Sequence, residues 1–139
     1  MHEPIDRAPL PIARDHRWLQ KSHHSPAGAR QLLRDFLSRV DGGERFVDNG
    51  ELLVTELVTN AVLHGTRPGQ RVHLELEVDP DRLWIAVEDA SSTHPVLQES
   101  PDGCSGRGLL LVETLSEKWG WGPREGVGKR VWCSCPPDC

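Results

Sequence analysis

The chain has 139 residues, 37% hydrophobic and 27% charged, a one-domain length with apolar content for a single core. A formal net charge of −5 argues against broad, direct nucleic-acid binding, although Arg7, Arg14 and Arg17 bring some positive charge to the N-terminal segment. No apolar run approaches the length of a membrane span and the N-terminus lacks the apolar stretch of a signal peptide, so no membrane partner and a cytoplasmic location are expected.

In chain order, residues 1–15 are rich in proline and charge and are expected to form a poorly ordered tail, leaving 16–139 as a single domain. A short strand is expected around Arg17 to Lys21. Ser25-Pro26 reads as an N-cap followed by proline at the first helical position, and Ala29, Leu32, Leu33, Phe36, Leu37 and Val40 recur at helical spacing behind it. Asp41-Gly42-Gly43 breaks that helix. The next runs from about Phe46 to His64, and Gly65 with Pro68-Gly69 ends it.

This second helix carries the most informative pattern in the chain. At ~100° per residue, Glu56, Asn60 and His64 form one stripe, flanked by Leu53, Val54, Leu57, Val58, Ala61 and Val62 on one side and by Leu52 and Leu63 on the other. Such a stripe is either the exposed edge of an amphipathic helix or the wall of a polar site. If enclosed, a carboxylate and a carboxamide need hydrogen-bond partners or a cation.

Arg71 to Val78 alternates polar and apolar residues, Asp79-Pro80-Asp81 reads as a turn, and Leu83 to Val87 is an apolar strand, together a hairpin that ends in Glu88-Asp89. Asp89 stands where the strand gives way to a loop. There it is either a turn or cap aspartate or an acceptor for a ligand's exocyclic amine. The loop from Ser91 to Ser105 leads into Gly106-Arg107-Gly108-Leu109, a glycine turn opening a helix that runs to about Glu117. Such a turn either receives phosphate oxygens on unpaired backbone N–H groups or is a flexible connector. It is neither a Walker loop, which needs Gly-Lys-Ser/Thr, nor the dinucleotide fingerprint, whose third glycine is replaced by Leu111. Two strands, near Lys118 to Trp121 and Lys129 to Cys135, complete the chain. Of the four cysteines, Cys133 and Cys135 share a strand face without zinc-site spacing, so reduced thiols with one of them in the core are expected, with Cys139 exposed and Cys104 in the loop.

The order of these elements matters more than any one of them. With its Glu-x-x-x-Asn helix, a strand ending in Asp and a Gly-x-Gly helix start, the chain resembles the ATP-binding domain shared by histidine kinases, the Hsp90 chaperones, gyrase-type topoisomerases and MutL. Glu56-Leu-Val-Thr-Asn60-Ala-Val-Leu-His64 is similar to the N-box of the small stand-alone branch that contains the bacterial anti-sigma-factor serine/threonine kinases. Val87-Glu88-Asp89 and Gly106-Arg107-Gly108-Leu109-Leu110-Leu111-Val112 resemble its two glycine boxes. The resemblance implies an α/β two-layer sandwich with helices on one face of a mixed, mostly antiparallel sheet.

It also implies roles. Asn60 would coordinate Mg²⁺ on the phosphates of ATP, Glu56 would be the general base, and Asp89 would accept from the adenine amine. Gly106, Arg107, Gly108 and Leu109 would cradle phosphate, Ser91 to Ser105 would be the lid, and His64 would close the helix and pack nearby. The sequence departs from the wider pattern after Asp89, where Ala90-Ser91-Ser92 replaces glycines. It departs again at Arg130, a threonine position in the resemblance, where an arginine would contact phosphate or face solvent.

Two function classes follow from the resemblance. One is a protein kinase that binds a sigma factor and phosphorylates an antagonist protein. The other is a regulator that binds nucleotide or protein without turnover. Homodimerisation is expected from the resemblance alone. A sensor histidine kinase fits less well, because no dimerising helix pair bearing a phosphoacceptor histidine is present.

Overall fold

The structure is a computed structural model that describes residues 8, 10–91 and 108–138. Strand β1 (Ala13–Gln20) is followed by helix α1 (Ser25–Ser38), a 3-10 turn at Gly43–Phe46 and helix α2 (Val47–His64). The hairpin β2 (Arg71–Val78) and β3 (Leu83–Asp89) comes next, then α3 (Gly108–Leu115) and a second hairpin, β4 (Lys118–Pro123) and β5 (Lys129–Cys135). The five strands lie in the order β1-β2-β3-β5-β4, and every pairing is antiparallel, the limiting case of the mostly antiparallel sheet expected.

Strand alternation decides which side chains meet the helices. Val72, Leu74, Leu76 and Val78 of β2, Leu83, Ile85 and Val87 of β3, and Val131, Cys133 and Cys135 of β5 point to one side and are buried. Against them pack Leu53, Val54, Leu57, Val58, Ala61 and Val62 of α2 and Ala29, Leu33, Phe36 and Leu37 of α1. Burying one such Leu or Val is worth roughly 1.5–3 kcal/mol, several times the spread of intrinsic helix propensity per residue, so α2 is held by packing despite its β-branched residues.

Two element boundaries differ from the sequence reading. Ser25 does not cap α1. The cap position is His24, and the buried Ser25 donates its Oγ hydrogen to the Gln20 carbonyl at 2.6 Å, which fastens the start of α1 to the end of β1. Of the expected tail, Ala8 and the described residues from 13 onward are engaged with the sheet. β1 begins at Ala13, and Ala8 is buried with its N–H donating to Glu77 Oε1 at 2.9 Å. That contact lies on the face opposite the helices, where Trp84 and Trp132 are also buried.

Candidate functional site

β3 and β5 are paired so that Asp89 stands directly opposite Lys129. Both continue the inward alternation, Leu83, Ile85, Val87, Asp89 on one strand and Lys129, Val131, Cys133, Cys135 on the other. The apolar face of the sheet therefore ends in a charged pair. Lys129 Nζ lies 2.9 Å from Asp89 Oδ2 and 3.1 Å from Oδ1, with the two side chains 2% and 1% exposed. The Ser91 N–H donates to Oδ1 at 2.9 Å. Burial pushes the Asp89 carboxyl above the usual carboxylate range, opposed by Lys129, by the Ser91 N–H and by the charge of Arg124.

Two glycines make room for Asp89, one for its carboxylate and one for its backbone. Gly65 follows the last residue of α2, and a Cβ there would lie 2.1 Å from Asp89 Oδ2. Gly128 has φ +127, and its Cβ would lie 2.0 Å from the Asp89 carbonyl oxygen. The sequence predicts Gly65 as a helix stop; together with Gly128 it also lets the backbone close around Asp89.

Beside the pair opens a cleft of about 550 Å³ lined by His64, Gly65, Thr66, Arg67, Gln70, Ala90, Ser91 and Val127. This size suits a small-molecule ligand. Its wall is the C-terminal end of α2, with Thr66 Oγ1 donating to the Val62 carbonyl at 3.0 Å. His64 is exposed at this rim rather than packed. Asn60 lies one turn and Glu56 two turns back along α2, about 6 and 12 Å along the axis at 1.5 Å per residue. Both are partly buried, and burial raises the Glu56 carboxyl above its ordinary value.

Asn60 and Glu56 offer an amide oxygen and a carboxylate one helical turn apart. These are hard oxygen donors of the kind Mg²⁺ accepts while keeping several waters and phosphate oxygens, so the residues present fit such an ion. A different group, His73, Glu75 and Glu88, brings ligand atoms within 4.8 Å of one another on the opposite face of the sheet. There the cation is already supplied by the protein. Arg130 Nη1 pairs with Glu75 and, at 3.0 Å, with Glu88 Oε2.

Arg130 consequently neither faces solvent nor turns toward the cleft. Its position in β5 is opposite Glu88, not Asp89, so pleating sends it to the other face. Lys129 is the residue that sequence reading missed, although the antiparallel pairing of the Asp89 strand with the last strand was the signal that could have found it. Gly108 and Leu109 form the first turn of α3, which packs against α2. Gly106, Arg107 and lid positions 92–105 lie outside the described residues, as do Cys104 and Cys139.

The family described as the histidine kinase-like ATPase domain matches residues 20–134, nearly the whole of the chain. The chain belongs to the histidine kinase-like ATPase domain family. Its relatives include an anti-sigma F factor of Clostridium beijerinckii, 27% identical over 116 residues that cover 76% of this chain and 81% of that protein. Among solved structures, the chain is similar to the RsbU and RsbW domains of Rv1364c from Mycobacterium tuberculosis, with a TM-score of 0.61 and 20% identity. That match covers 92% of this chain and 34% of the other, so the chain spans about a third of the solved protein and the likeness is one of fold. In this histidine kinase-like ATPase domain the stripe lies on α2, Asp89 ends β3 and Gly108 begins α3.

Proposed function

We propose that this chain is a nucleotide-binding regulator of the anti-sigma-factor type, which binds Mg-ATP and phosphorylates an antagonist protein. The observation that carries the reading is the buried Asp89 carboxylate beside a cleft at the end of the helix that bears Glu56 and Asn60. The similarity to an anti-sigma F factor supports the partner class, a sigma factor together with its antagonist. A homodimer is part of the same proposal and rests on the resemblance alone.

In this reading Asp89 accepts from the base, the first turn of α3 with Gly108 and Leu109 receives phosphate oxygens, and Gly106 and Arg107, which precede it in sequence, are assigned to the same task. Mg²⁺, held through Asn60, would neutralise phosphate charge. Glu56 accepts the proton of the attacking hydroxyl, and its partial burial suits it to that task by bringing its pKa nearer to the working pH.

A second reading has one specific observation in its favour. The acceptor expected to meet the base is already engaged by Lys129, as it would be in a pocket kept for protein binding without turnover. Titration calorimetry with Mg-ATP on the chain, its Asn60→Ala variant and its Glu56→Gln variant separates the two. The kinase reading expects binding by the wild type, its loss in Asn60→Ala, and in Glu56→Gln retained binding with loss of phosphate transfer to the antagonist. Absence of nucleotide binding by the wild type at millimolar concentration overturns it and leaves the protein-binding regulator.

A further inference from the structure

The identity of the base can be argued further, on the footing of the nucleotide-binding reading above. A buried carboxylate standing alone at a base-binding position offers only acceptors, so it accepts from a 6-amino group and repels a 6-oxo group. Asp89 does not stand alone. The Lys129 ammonium, 2.9 and 3.1 Å from its two oxygens, brings three N–H donors, of which the contacts with Asp89 engage at most two. Among the described contacts, the carboxylate takes one further hydrogen bond, from the Ser91 N–H. Donor and acceptor capacity thus lie side by side directly behind the cleft lining, with Gly65 against the Asp89 carboxylate and Ala90 and Ser91 next along the chain.

We propose that Lys129 sets the base selectivity of the site and opens it to 6-oxopurine as well as 6-aminopurine nucleotides. A 6-aminopurine gives its amino N–H to Asp89 and receives a hydrogen bond from Lys129 at ring N1. A 6-oxopurine receives a hydrogen bond from Lys129 at O6 and gives its N1–H to Asp89. The two edges carry the same pair of functions in opposite order. The flexible four-carbon stem of lysine lets the ammonium serve either side of the carboxylate. Without the lysine, a 6-oxo group would face the carboxylate with no donor, the arrangement by which buried polar sites reject a near-identical ligand.

Calorimetry of the whole chain with Mg-ATP and, separately, Mg-GTP tests this, with Lys129→Met and Lys129→Gln alongside. The expected result is a wild type that binds GTP within about tenfold of ATP, roughly 1.4 kcal/mol, and a Lys129→Met variant that weakens GTP relative to ATP by at least about tenfold. Lys129→Gln, which keeps an N–H donor and leaves no charge, falls between them. A wild type that binds ATP but rejects GTP by about a hundredfold or more, or a Lys129→Met variant with an unchanged ratio, overturns the inference and leaves ATP binding standing. If removing the lysine prevents folding, the wild-type ratio and Lys129→Gln decide. Binding of neither nucleotide by the wild type removes the nucleotide reading and this inference with it.

Discussion

A single methyl group next to Asp89 would have nowhere to go. Gly65 has φ −112, which any residue adopts, so the demand for glycine there is one of contact and not of backbone. A Cβ would meet Asp89 Oδ2 at 2.1 Å and the Ala61 carbonyl at 2.9 Å. Gly65→Ala is therefore expected to cost about 1–3 kcal/mol, the usual range for overpacking, and to weaken nucleotide binding. Urea denaturation and calorimetry read the two effects. Unchanged stability would mean that the Asp89 carboxylate has room to withdraw. The side chains of this site differ in how far the sequence announced them. Glu56 and Asn60 were legible because they interrupt an apolar helix at one-turn spacing. Asp89 was legible because it closes an apolar strand. Lys129 was not, because its meaning arises only when β3 and β5 pair in one register, and its neighbour Arg130 carries the same charge to the other face.

The second helix illustrates the same distinction at the level of elements. Its extent followed from apolar periodicity, and Val47–His64 agrees with the expected Phe46 to His64 to within one residue. Its N-terminal cap did not follow from sequence. The cap position, Phe46, has no side-chain acceptor, and the free N–H groups of Asp48 and Asn49 instead donate to Asp138 Oδ2 and Oδ1 at 3.0 and 3.1 Å. A partner 89 or 90 positions away in sequence leaves no local signature. The interaction combines capping with a carboxylate at the positive end of the helix dipole, so Asp138→Ala should lower stability by about 1–2 kcal/mol. Chemical denaturation measures it. A loss much smaller than that would mean that water serves these N–H groups equally well. The same helix reaches the cleft with its other end, so the last described residue of the chain helps to hold the wall of the candidate site.

For the molecule as a whole, the two faces of the sheet do different work. On β2, β3 and β5 the helix-facing side is apolar until it meets Asp89 and Lys129, while the other side carries the Glu75, Glu88 and Arg130 cluster together with Trp84, Trp132 and the contact from Ala8. Cys133 and Cys135 lie on the helix-facing side, both fully buried, so the core holds two thiols where sequence reading expected one. Burial pushes the Cys133 thiol up to about 12. Its folded pKa is raised, so its contribution to stability is complete below the unfolded thiol range, near 8.5, and is lost as pH rises from there toward the folded value. Iodoacetamide at pH 8 is thus expected to label Cys133 and Cys135 only after urea unfolds the protein, with stability declining as pH is raised above about 9. Labelling in the folded state, read by peptide mapping, would show that β5 opens locally. The Asp89 and Lys129 pair has a historical consequence as well. Removing either member of a buried ion pair alone costs about 3–5 kcal/mol, out of a stability that for a domain is typically 5–15 kcal/mol. A lineage carrying this pair can exchange it for neutral residues only by crossing a poorly folded intermediate, so once acquired it resists drift. Descendants should keep both residues or lose them together.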